Sequence, residues 1–145
     1  MVELTDPGAE TDPDELRMII QRLSRRIRVH RAADGISDAQ LGVLFQLEKH
    51  GDRTPGQLAE HEGVTPPSIN RTINGLEEAG WITRNPDPDD ARRVRIRLTD
   101  AGVAIITETR RLRAAWFTQR LALLDPQERR LLQEVTPLLR RLSDS

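Results

Sequence analysis

Between positions 54 and 99 the chain gathers side chains suited to reading nucleic acid. Ser68, Asn70, Arg71 and Asn74 fall within two helical turns of one another. Arginine can bond guanine bidentately, asparagine can do the same for adenine, and serine or threonine serves bases or phosphates. Further along, Arg84, Arg92, Arg93, Arg95 and Arg97 stand against Asp87, Asp89 and Asp90. A loop tip rich in arginine suits a minor groove or a phosphate. Thr54 and Thr65 each precede a proline, and a hydroxyl at a helix N-terminus is placed to hold a phosphate. The plain alternative is a solvated helix face beside a salt-bridged hairpin.

The elements around these residues favour the nucleic-acid reading. Thr54-Pro55 is a helix start, a hydroxyl N-cap followed by proline at the first helical position. The helix carries Leu58 and Ala59 inward and stops near Glu62-Gly63, where glycine supplies a left-handed exit. Thr65-Pro66 repeats the start signal. Ile69, Ile73 and Leu76, spaced i, i+4, i+7, form one buried face, which turns Ser68, Asn70, Arg71 and Asn74 to the other side. Gly80 ends this second helix. Residues 81–84 and 94–98 alternate like strands, and residues 85–90 (Asn-Pro-Asp-Pro-Asp-Asp) have turn chemistry. Helix, turn, helix and basic hairpin together predict a winged helix-turn-helix over residues 35–99, with one helix in a DNA major groove.

The run VTPPSINRTINGLEEAGWITRNPDPDD, followed by RVRIRLTDAG, resembles the MarR family of bacterial transcription regulators. The resemblance spans about residues 12 to 142. It implies an obligate homodimer on a pseudo-palindromic operator, usually released by a small ligand or by oxidation, and a repressor is expected. One departure stands in the wing, which in the family commonly reads Asp-x-Arg or Asp-Arg-Arg. Here Ala91 follows Asp90, and the arginines come at Arg92 and Arg93; Arg92 matches the second family arginine best. Either arginine is a candidate for the minor groove. The family often holds an aromatic acid between its dimer helices and its wing domain. The matching positions here are Ile27, His30, Arg31, Phe45, Arg113 and Trp116, for which core packing and solvated charge are the plain alternative.

The flanking sequence predicts a mainly α chain with a small β-wing. Residues 1–11 are acidic, with Pro7 and Gly8, and are expected to lack order. Residues 12–34 and 100–145 are expected to form a helical dimerisation region. Asp12-Pro13 opens the first helix, expected to run to Asp34-Gly35, with Leu16, Ile20, Leu23, Ile27 and His30 on one face. Ser37 to Gln40 starts the next as a near capping box. After Thr99-Asp100 a long helix carries Phe117, Leu121 and Leu124. The last helix carries Leu131, Leu132, Val135, Leu138 and Leu139, with a kink or break expected near Thr136 because Pro137 lies inside it. Amphipathic helices holding more apolar surface than one wing domain can cover must find a partner, and a two-fold dimer is the simplest. The alternative is a monomer that folds these helices onto its own wing domain.

Composition narrows the chemistry. The chain has 145 residues, 31% of them charged, 3% aromatic and none cysteine. Leucine and isoleucine must therefore fill the core, and thiol-based redox sensing is excluded. The formal net charge is −1, but six acids and no base fall in the first fifteen residues; without them 22 basic side chains face 17 acidic ones. Local patches matter more than net charge for phosphate binding. His30, His50 and His61 lack metal-ligand spacing, so no metal or other cofactor is expected. There is no glycine-rich phosphate loop and no GxSxG, so no enzyme is expected. No basic, apolar leader and no apolar stretch long enough to span a membrane is seen, which points to the cytoplasm. A winged-helix protein-interaction module is the competing function.

Overall fold

The computed structural model describes residues 10–145, so the expectation for the acidic start lies almost wholly outside the described residues. Among the described residues there are six helices and a two-stranded antiparallel sheet. In chain order they are α1 (Pro13–Arg28), α2 (Asp38–His50), α3 (Pro55–Glu62), α4 (Pro66–Glu78), β1 (Ile82–Pro86), β2 (Val94–Leu98), α5 (Asp100–Leu121) and α6 (Pro126–Asp144). They fall into two compact units. One comprises His30–Leu112; the other joins the chain up to Val29 with Arg113–Ser145.

The His30–Leu112 unit has the core. Leu41, Leu44, Leu47, Leu58, Ile69, Ile73, Leu76, Ile82, Ile96 and Ile106 are all buried, with Ile36 and Val43 beside them. Aliphatic packing does the work left by the scarcity of aromatics. Each helix start follows from local chemistry. Ser37 and Gln40 form a full capping box on α2, and Thr54 and Gln57 form another on α3. Thr65 caps α4 through the Ser68 amide. Gly63 ends α3 at φ +65°, a left-handed conformation that a side chain would strain. Strand β1 pairs with β2 from Ile82 opposite Leu98 to Pro86 opposite Val94. Arg53 adds a bridge to Ile96, with backbone bonds of 3.2 and 2.7 Å, which ties the segment before α3 to the sheet.

The wing is anchored to the start of α5 by a close approach. The Thr99 hydroxyl donates to the Gly80 carbonyl at 2.7 Å and accepts from the Gly102 amide at 3.1 Å. Gly102 is buried, and a Cβ there would overlap the Trp81 carbonyl. Only glycine lets the α5 start lie against the α4–β1 corner.

The helix α1 ends at Arg28, well before the expected stop at Asp34-Gly35. The Arg28 carbonyl accepts from Arg113 Nη2 at 3.2 Å. In the following segment, the Ala32 amide donates to the Thr109 hydroxyl at 3.1 Å. Arg31 donates to the Ile36 carbonyl at 2.5 Å and pairs with Asp38 at 3.0 Å. These bonds give the Ala32 amide and the Ile36 carbonyl partners outside a helix. His30 thus lies beyond α1 rather than on its face.

The second unit has a different character. Neither α1 nor α6 has a buried residue. Leu16, Ile20 and Leu23 on α1, and Leu131, Leu132, Val135, Leu138, Leu139 and Leu142 on α6, are exposed, Leu138 by 54%. Phe117, Leu121 and Leu124 are half-buried. An apolar cavity of about 550 Å³ lies among Leu23, Phe117, Leu121, Leu124, Leu132 and Leu139. Pro137 does not break α6. Proline removes one amide donor, and next to it the Thr136 hydroxyl donates to the Leu132 carbonyl at 2.7 Å.

Candidate nucleic-acid interface

Helix α4 divides along its length. Ile69, Ile73 and Leu76 are buried on one face, and Asn70, Arg71 and Asn74 are exposed. Ser68 is half-buried at the boundary, where its carbonyl accepts from the Thr72 hydroxyl at 3.3 Å. Among the described residues the side chains of Asn70 and Arg71 have no hydrogen bond or ion pair. Their donors and acceptors face solvent.

The capping threonines keep a free donor. Thr54 Oγ1 accepts from the Gln57 amide at 3.2 Å, and Thr65 Oγ1 accepts from the Ser68 amide at 3.4 Å. A hydroxyl that accepts at its oxygen still has its own hydrogen to give. Both stand at positive helix ends, which favour an anion.

The wing arginines differ in how they are employed. Asp87 is the buried anchor of the turn. Its Oδ1 accepts from the amides of Asp89 at 2.8 Å and Asp90 at 3.3 Å, and its Oδ2 accepts from Arg95 Nε at 3.0 Å. The Asp89 amide first, and then the Arg95 guanidinium, hold its carboxyl below the usual carboxylate range. Arg95 is thus engaged within the wing. Asp90 is also held low, by the Arg92 amide and then by the Arg92 guanidinium, whose Nε lies at 3.2 Å. Arg92 is nevertheless almost fully exposed, and so exposed a pair is worth little to the fold. Arg93 is exposed and has no ion pair among the described residues. Arg97 pairs with Asp52 at 2.8 Å, away from the wing tip.

Arg84 stands apart. It projects from β1 onto α4, where Nη2 donates to Asn74 Oδ1 at 2.6 Å and Nη1 to Glu77 Oε1 at 2.9 Å. Two residues expected to face DNA independently are therefore joined. Sequence reading had no means of pairing them, since the long side chains meet only after β1 folds back beside α4.

A polar network that the sequence pattern does not reveal joins α2, α3 and the segment before α3. Gln46 is buried on α2; its Nε2 donates to Glu62 Oε1 at 3.0 Å, and its Oε1 accepts from Arg53 at 3.4 Å. It links α2 and α3 to the segment that bridges β2. His50 and His61 meet edge to face, with ring centroids 5.7 Å apart. Burial, then Arg53, Lys49 and His61, push His50 below the ordinary histidine value. Among the described residues no group of three or more His, Cys, Asp or Glu side chains is arranged to hold a metal ion.

The residues expected to line an effector site divide between the units. Ile27, Arg113 and Trp116 belong to the helical unit, where Arg26 and Arg120 lie 5.4 and 5.1 Å from the Trp116 ring centre. His30, Arg31 and Phe45 belong to the other. Arg31 is engaged by Ile36 and Asp38, and Phe45 packs beneath Arg110, which also pairs with Glu48.

A helix-turn-helix backed by an antiparallel hairpin defines a winged helix-turn-helix regulator. Residues 34–93 match the family model described as MarR family. An HTH-type transcriptional regulator of Mycobacterium tuberculosis is 36% identical over 130 residues, covering 90% of this chain and 91% of the relative. The HTH-type transcriptional repressor MdtR of Bacillus subtilis is 26% identical over 130 residues, covering 90% of this chain and 84% of that protein. A solved Pseudomonas aeruginosa structure superposes with a TM-score of 0.81 at 33% identity, covering 91% of this chain and 94% of that one. The chain belongs to the MarR family: it is a transcription regulator and not an enzyme. No helix among the described residues is long and apolar enough to cross a membrane.

Proposed function

We propose that the protein binds a pseudo-palindromic operator in double-stranded DNA as a homodimer and represses transcription from it in the cytoplasm. The observation that carries this reading is the face of α4. Among the described residues Asn70 and Arg71 are exposed without a side-chain hydrogen bond or ion pair, and the wing carries Arg92 and Arg93, both exposed. In this reading Arg71, Asn70, Ser68 and Asn74 meet the major groove. Thr54 and Thr65 donate to phosphates, and Arg92 and Arg93 reach the backbone or minor groove from the wing. Arg95 and Arg84 serve mainly by holding Asp87 and α4 in place. The repressor sense is supported by the Bacillus subtilis relative named a repressor.

The dimer reading rests on α1 and α6, which together have no buried residue and expose nine leucine, isoleucine and valine side chains named above. Apolar surface on that scale is covered by another molecule in soluble proteins. A second copy covers it with an isologous interface and sets two recognition helices about one DNA turn apart, roughly 34 Å. Residues 12–34 and 100–145 then form the dimerisation region, and 35–99 the DNA-binding domain. A small aromatic or other ligand would release the operator only by binding one state of the dimer better than another.

The test is a gel shift of the purified protein on duplexes from its own upstream region over a salt series. Tight binding to one fragment, with a steep salt slope, is expected. Absence of binding at low salt favours a winged-helix protein-interaction module. Sedimentation of Leu132→Glu should give a monomer where the parent gives a dimer, because a charge would enter the apolar face.

A further inference from the structure

The helical unit concentrates positive charge that the DNA-facing residues do not account for. Residues 16–28 of α1 hold five arginines, residues 113–121 of α5 hold two, and neither stretch has an aspartate or glutamate. Arg22 stands three residues before Arg25 and four before Arg26, spacings at which like charges repel on a helix. The guanidiniums of Arg26 and Arg120 converge on Trp116, 5.4 and 5.1 Å from its ring centre. Each is attracted by the ring, yet together they set two like charges beside one side chain. Arg22, Arg25, Arg26 and Arg120 are exposed and, among the described residues, have no ion pair or side-chain hydrogen bond. In the other unit, by contrast, Arg31, Arg84, Arg95 and Arg97 each have a carboxylate.

The missing counter-charge lies in the same chain. Asp12 caps α1 and Asp14 pairs with Arg17, while Glu3, Asp6 and Glu10 precede the helix with no base among them. From Pro13 to Arg26 the helix rises about 20 Å, at about 1.5 Å per residue. Residues 1–11 can span at most about 36–40 Å, so they reach back along α1 as far as Trp116. We infer that the acidic N-terminal segment of each chain folds back over the surface made by Arg22, Arg26, Trp116 and Arg120 of that same chain, as a cover held by charge. Exposed ion pairs are weak singly and are screened by salt. The cover is therefore displaceable, and salt or a competing polyanion lifts it. The inference stands apart from the DNA-binding reading.

The test exploits a chain with no cysteine and two tryptophans. Thr5→Cys in a Trp81→Phe background gives one labelling site in the segment and leaves Trp116 as the one tryptophan. A bimane on that cysteine loses emission when it lies against an indole. At low salt the full-length protein should have most of its bimane emission quenched, and Trp116→Phe should restore it. Emission should also return as salt rises above about 0.1 M, where the Debye length falls below about 10 Å, and on addition of heparin at low salt. Replacing Glu3, Asp6 and Glu10 by their amides should restore it without salt, as should Arg26→Gln with Arg120→Gln.

Emission equal in the Trp116 and Trp116→Phe proteins at low salt overturns the inference. So does quenching that survives both the amide and the arginine substitutions, since contact would then owe nothing to charge. A mixing experiment settles whose segment is seated. Labelled chains carrying Trp116→Phe are combined with unlabelled chains that keep Trp116. The inference expects these mixtures to stay bright. Quenching in them would put the segment on a second copy and overturn the same-chain assignment.

Discussion

Arg71→Ala is the substitution that most cleanly separates binding from folding. The side chain is exposed and has no ion pair or hydrogen bond among the described residues. Its loss should leave stability within about 0.5 kcal/mol, as for other surface changes of this kind. At an operator the outcome differs. One bidentate guanine contact discriminates by about 1–3 kcal/mol. A two-fold complex uses the residue twice, so the total is about 2–6 kcal/mol. At about 1.4 kcal/mol per decade, that corresponds to an affinity loss between about 30-fold and about 10⁴-fold. The assay is fluorescence anisotropy on the selected operator and on duplexes changed at each half-site base, at constant salt, with thermal melts alongside. The parent should discriminate strongly at one base pair per half-site, and Arg71→Ala should not. Arg93→Ala should instead weaken all duplexes alike and lower the salt slope by about 1 per chain. If Arg71→Ala behaves in that second way, the residue touches phosphate and the major-groove reasoning is wrong.

Two further outcomes concern the scaffold. Gly102→Ala places a Cβ on the Trp81 backbone, which cannot yield as a flexible side chain would; a loss of about 3 kcal/mol is expected, lowering Tm by about 10 °C, and an unchanged melt would contradict the close approach. Asp87 has its carboxyl held low in the folded wing, so its contribution is present above the ordinary carboxylate value near 3.9 and lost as pH falls through the lower folded value. Hydrogen-exchange protection at the Asp89 and Asp90 amides should stay flat from about pH 5 to 8 and collapse in stronger acid, and Asp87→Ala should remove it at neutral pH; protection unaffected by that substitution would sink the anchoring role.

What could be read from the sequence was what short-range chemistry decides. Ser37 with Gln40, Thr54 with Gln57, and Thr65 before Pro66 mark helix starts because a cap is satisfied within three residues. Gly63 marks an exit for the same local reason. The spacing of Ile69, Ile73 and Leu76 placed the buried side of α4, and so its polar side. The end of α1 could not be read this way. It is set by Arg113, reaching back across the sequence to Arg28, while Thr109 holds Ala32 in the loop that follows. The distinction between Arg93 and Arg95 was hidden likewise. Both are arginines near acids, and only the folded turn shows that Asp87 holds one and leaves the other exposed. The same holds for Arg84 and Asn74, ten residues apart and joined by a strand turning back beside a helix.

The central claim is that two copies of this chain read an inverted repeat. The most direct test is to incubate the purified protein with a randomised duplex pool, sequence what it retains, and weigh the resulting complex. The account predicts one inverted repeat, with half-site centres about one DNA turn apart and two chains per duplex. A pool with no enriched sequence, or one enriched half-site bound by a single chain, would contradict it.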